Sequence, residues 1–110
     1  MLAELSIIPV GGSTHSSAEL AKVLKLVDES GLPYQLTPSS TCIEGEWDEI
    51  MALIHRCHDR ARKSSSHVVT FIKLEEDDGE RDKLTGNVTS VEEKFGHPLN
   101  TEPKTNKQHR

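Results

Sequence analysis

Basic residues are in deficit: thirteen Lys and Arg stand against eighteen Asp and Glu, a net charge of −5. A chain without a positive field is not a general binder of nucleic acid or of anionic membranes. No apolar run approaches the roughly 20 residues needed to cross a bilayer. The opening MLAELSIIPV has neither a basic leader nor a long apolar stretch, so it does not read as a signal peptide. Cys42 and Cys57 are too few for a disulfide framework or a cysteine zinc site, and a reducing cytoplasm is the expected compartment. Apolar residues make up only 34% and aromatic residues 4% of the 110 positions. One modest core is expected, with part of the length left as tail.

Along the chain, residues 2–10 alternate with apolar side chains on both faces and predict a strand covered on both sides. A Gly11-Gly12-Ser13-Thr14 turn follows. Ser16 and Glu19 have capping-box spacing, Leu20, Val23, Leu24 and Val27 have helical spacing, and Gly31 stands where a helix terminates. These predict a helix over 16–30. Two short strands are expected near 33–37 and 40–44, around the turn at Pro38-Ser39-Ser40. Trp47, Ile50, Met51, Ile54, Cys57, His58 and Ala61 mark a second helix over 46–64, and HVVTFIKL at 67–74 is the most β-prone run. A short helix is placed at 89–95, opened by Thr89 and Glu92. Residues 97–110 hold one aliphatic side chain, Leu99, and read as a disordered polar tail after a single domain at 1–96.

The order βαββαβ predicts an α+β, ferredoxin-like sandwich: a four-stranded antiparallel sheet with two helices on one face, plus the short C-terminal helix. The other face of such a sheet is bare, and a second copy of the chain is the simplest cover.

Few motifs carry chemistry. The glycine turn at 11–14 lacks the lysine of a phosphate loop, although the helix start at Ser16 and Ser17 offers free N–H groups. There is no G-x-S-x-G, and no base lies next to Cys42 in sequence, so no enzyme is expected. His55 and His58 are spaced to share a metal on one helix face, but no third ligand accompanies them; flanking a buried stripe is the plainer role. The most unusual segment is PSSTCIEGEWD at 38–48, which sets Ser39, Ser40 and Thr41 beside Glu44 and Trp47 at a strand–helix junction. Glu44 reads either as a solvated loop acid or as a partly desolvated carboxylate able to pair with an aminopyrimidine. Trp47 reads as a core anchor.

The string PSSTCIEGEWDEIM resembles the P-x-x-T-x-I-E-G-x-W-D-E-x-M signature of the thiamine-binding protein family. AELSIIPVG at 3–11, SGLPYQL at 30–36, RDK at 81–83 and SVEEK at 90–94 are similar to its other segments, and the resemblance covers about residues 1–95. It implies a ferredoxin-like fold, assembly as a dimer or dimer of dimers, and binding of thiamine or hydroxymethylpyrimidine without a reaction. The site expected on that basis comprises Ser6, Ser39, Ser40, Thr41 and Glu44, with Trp47 as a wall. Catalytic residues, metal and cofactor beyond the ligand itself are not expected. The other readings are a structural or regulatory homo-oligomer without a dedicated ligand, and a minor metal role for His55 and His58.

Overall fold

A computed structural model describes residues 1–10, 17–79 and 82–102. In chain order the elements are β1 (Leu2–Pro9), α1 (Ser17–Glu29), β2 (Tyr34–Leu36), β3 (Thr41–Glu44), α2 (Trp47–Ser64), β4 (Val68–Glu75) and α3 (Lys83–Phe95). The strands form one antiparallel sheet in the order β2-β3-β1-β4, the arrangement of a ferredoxin-like fold.

Strand periodicity decides which side of the sheet holds the core. Alternate side chains of β1 point to opposite faces. Ala3 and Leu5 are buried, together with Ile43 of β3, against Val23 and Val27 of α1 and Ile50, Leu53, Ile54 and Cys57 of α2. The opposite row of β1 is not covered: Glu4 is exposed and Ile8 retains 43% of its accessible surface. The expectation of a strand covered on both sides fails here because α1 and α2 pack on the same face.

Local signals set the helix ends. Gly31 adopts φ 77° just beyond α1, a conformation that costs glycine nothing. At the start of α2, the Glu49 carboxylate accepts the Glu46 N–H at 3.1 Å. The expected Ser16 cap lies outside the described residues, as does the 11–14 turn.

The C-terminal helix is the main departure. It begins at Lys83 rather than Thr89, so Thr89 lies in its interior. Asp82, before its first turn, sits in the left-handed region at φ 60° and makes no side-chain cap. The cap comes instead from another element. Glu44 accepts the N–H of Lys83 at 2.6 Å and of Leu84 at 3.3 Å. Lys83 is itself buried, and its ammonium group lies 2.7 Å from Asp77 and 3.4 Å from Glu75. These contacts join α3 to the end of the sheet. Beyond α3, the Leu99 N–H donates to Glu92 at 2.7 Å and the His97 ring meets Phe95 edge to face, so residues 97–99 fold back on the helix. The expected tail from 103 onward lies outside the described residues.

Cys57 is fully buried, and burial pushes its thiol up to about 11 from an ordinary 9. The neutral thiol is the form the fold favours. Its contribution to stability is therefore present below pH 9 and is lost as pH rises from about 9 through about 11. Alkylation of the native protein near neutral pH is expected to label Cys42, which is only partly covered, and to spare Cys57 until the chain unfolds. Equal labelling of both thiols in the native state would contradict this packing.

Candidate functional site

Four strands of unequal length leave a gap. By register, β3 accompanies β1 only from Leu2 to Leu5, whereas β4 accompanies it as far as Pro9. Past Leu5, one side of β1 has no strand beside it among the described residues. The turn at 37–40 curls over that side, closed by the Thr37 N–H donating to the Ser40 carbonyl at 2.8 Å. A cavity of about 280 Å³ occupies the space between β1, α1 and this turn.

One wall of the cavity carries hydroxyls from Ser6, Thr37, Ser39, Ser40 and Thr41. The rest of the lining is apolar: Leu20, Val23 and Leu24 of α1 and Leu36 of β2, with Phe71 of β4 on the same side of the sheet as Ser6. The hydroxyl wall is internally bonded. Ser6 Oγ donates to the Ser39 carbonyl at 3.2 Å, and Thr37 Oγ1 to the Ser40 carbonyl at 2.9 Å. Ser40 Oγ donates to Glu4 Oε2 at 3.1 Å, while the Ser40 N–H reaches Thr37 Oγ1 at 3.0 Å. A cleft that pairs an apolar side with a few fixed polar groups is the usual form of a small-molecule site, and this volume lies near the lower edge of the common range of roughly 300–1,000 Å³. It suits one substituted ring.

Of the six expected site residues, the structure brings together Ser6, Ser39, Ser40 and Thr41. Glu44 and Trp47 do not line this cavity. Glu44 sits at the far end of β3, with both carboxylate oxygens taken by α3. Trp47 opens α2 and is 51% exposed, neither a core anchor nor a wall of the cavity. Sequence reading passed over Glu4, Thr37 and Phe71. For Glu4 a signal existed, since it shares the outward row of β1 with Ser6. Phe71 could be found only from strand order, because its place opposite Ser6 depends on β4 pairing with β1.

The two histidines whose spacing would let them share a metal have separate partners. His55 Nε2 lies 3.2 Å from Asp59, and His58 Nδ1 shares a hydrogen bond of 2.6 Å with Thr70. Among the described residues, no group of three or more His, Cys, Asp or Glu side chains converges as a metal shell would. No helix among the described residues is long and apolar enough to cross a membrane.

Sheet order, helix placement and a hydroxyl-walled cavity at the open side of the first strand define a ferredoxin-like α+β domain with room for a small guest. Residues 3–92 match the family profile described as thiamine-binding protein, and the chain belongs to that family. The UPF0045 protein YqgV of Bacillus subtilis is 37% identical over 97 residues, covering 83% of this chain and 90% of that one. Among solved structures, the hypothetical protein MJ1052 of Methanocaldococcus jannaschii superposes with a TM-score of 0.76 at 24% identity, covering 84% of this chain and 95% of that one. TM0486 of Thermotoga maritima, provisionally assigned to thiamine biosynthesis or salvage, superposes with a TM-score of 0.70 at 16% identity, covering 82% and 96%. The structural likenesses bear on the fold alone. Neither the family's description nor YqgV's name carries a catalytic activity.

Proposed function

We propose that this protein is a non-catalytic, cytoplasmic binder of thiamine or its hydroxymethylpyrimidine moiety, working as a homo-oligomer. The observation that carries the reading is the ring-sized cavity of about 280 Å³, a mainly apolar lining set with hydroxyls, in a chain of the thiamine-binding protein family. The apolar wall suits the face of an aromatic ring, and the hydroxyls suit its polar edge.

Calorimetric titration with hydroxymethylpyrimidine and with thiamine tests this. At least one is expected to bind, and chromatography after incubation should return it unchanged. Ser6→Ala removes one wall hydroxyl and should weaken binding about three- to tenfold, the worth of a neutral hydrogen bond of roughly 0.5–1.5 kcal/mol. Absence of heat with both ligands at saturating concentration would sink the reading.

The homo-oligomer is supported by the sheet's open side. β4 is an eight-residue edge strand whose Phe71, Ile72 and Leu74 keep 59%, 42% and 37% of their surface. Long apolar edges of this kind are normally paired or covered. Light scattering at micromolar concentration should give at least twice the 12.2 kDa chain mass. A stable monomer would overturn this part of the proposal.

A further inference from the structure

We infer that Glu4 fixes the direction of the hydroxyl wall, turning it into a row of acceptors that selects ring ligands bearing an amino group over those bearing an oxo group. The inference rests on the pyrimidine reading above and adds a positioning residue to that site.

The argument follows the protons. A serine or threonine hydroxyl has one proton to give and two lone pairs to receive with. The Ser6 proton goes to the Ser39 carbonyl and the Thr37 proton to the Ser40 carbonyl, and a carbonyl has no proton to return. The Ser40 hydroxyl decides the polarity of the wall. Two oxygen acceptors lie within its reach, Glu4 Oε2 and Thr37 Oγ1, each at 3.1 Å, with the weaker-accepting Cys42 thiol beside them. An ionised carboxylate is the stronger acceptor, so the Ser40 proton rests on Glu4. Thr37 Oγ1 already receives the Ser40 N–H at 3.0 Å. Lone pairs on Ser6 and Ser40 are then what the wall offers a guest.

A ring amine supplies protons to such a wall. An oxo group brings lone pairs against lone pairs and leaves both sides unpaired. Without the carboxylate, the Ser40 hydroxyl can rotate and donate, so either ring is accepted. Glu4 is thus predicted to act on selectivity through Ser40. It is exposed and outside the core, so the fold does not depend on it.

The test compares hydroxymethylpyrimidine with the same ring carrying oxo in place of the amine, titrated into the full chain. Wild type should prefer the amine by about ten- to a hundredfold, the discrimination of a site whose hydrogen-bonding groups would otherwise go unpaired. Glu4→Gln puts a neutral amide, a weaker acceptor that can also turn an N–H toward Ser40, in place of the carboxylate, and the preference should fall to about threefold or less, mainly through tighter binding of the oxo ring. Ser40→Ala should reduce the preference similarly, and adding Glu4→Gln to it should change nothing further, because the two act as one unit. A general loosening of the site would weaken both rings alike and leave their ratio intact. An unchanged ratio in Glu4→Gln, with the amine ring still bound, overturns the role of Glu4 and leaves the pyrimidine reading standing. If wild type binds neither ring, the pyrimidine reading itself fails and the inference falls with it. Should Glu4→Gln not fold, Ser40→Ala alone decides: a preserved ratio overturns the inference and a collapsed one supports it.

Discussion

Ile43→Ala is expected to lower the free energy of unfolding by about 2–5 kcal/mol, the range for truncating a large buried aliphatic residue. Ile43 has no exposed surface and is the middle inward-facing side chain of the sheet. Its neighbours in register are Ala3 on β1 and Tyr34 on β2. Ala3 is too small to expand into the space that the truncation leaves. Total stability for a domain of this size is about 5–15 kcal/mol, so the loss is a large fraction of it. Urea denaturation should show a lower midpoint with an unchanged slope, and Ile43→Val should cost only about 0.5–1.5 kcal/mol. A loss below about 1 kcal/mol for Ile43→Ala would mean that the helices close over the gap and that the inward row is not the centre of the core.

Glu44→Ala should release the start of α3 while leaving pyrimidine affinity within about twofold of wild type. Both carboxylate oxygens of Glu44 receive N–H groups of the first turn, which Asp82 leaves without a cap. Leaving those donors unpaired in a half-covered position costs about 1–3 kcal/mol. Glu44→Gln keeps one acceptor and should fall between wild type and Ala. Amide exchange at Lys83 and Leu84 reports the release directly. Unchanged protection there would remove Glu44 from the capping role. A tenfold loss of pyrimidine affinity would return it to the ligand, where the family resemblance places it.

Most of the fold was legible because its signals are local. Apolar spacing from Leu20 to Val27 and from Ile50 to Ala61 located α1 and α2 to within about a residue, and Gly31 marked an end. α3 was located only in part. Gly86 and Asn87 are weak helix formers, and the cap is a side chain 39 residues away in sequence, which no local pattern reveals. The cavity divides in the same manner. Ser39, Ser40 and Thr41 are contiguous and could be singled out as a cluster, with Ser6 joined to them through the family resemblance. Glu44 looked equally suited because it is three residues from Thr41, but a four-residue strand carries it to the opposite end of the sheet. Phe71 and the α1 wall arrive only through tertiary packing.

The mismatch between β1 and β3 makes guest size a matter of counting. Extending the observed register would set Ser40 opposite Ser6, residue 39 opposite Ile7, and Pro38 opposite Ile8. Pro38 has no N–H to give a partner strand, which helps to keep those rungs unformed. Each added rung would narrow the opening by about 3.3 Å along β1. The room available to a ligand can therefore be tuned by the length of one hairpin, without changing any side chain on the α1 wall.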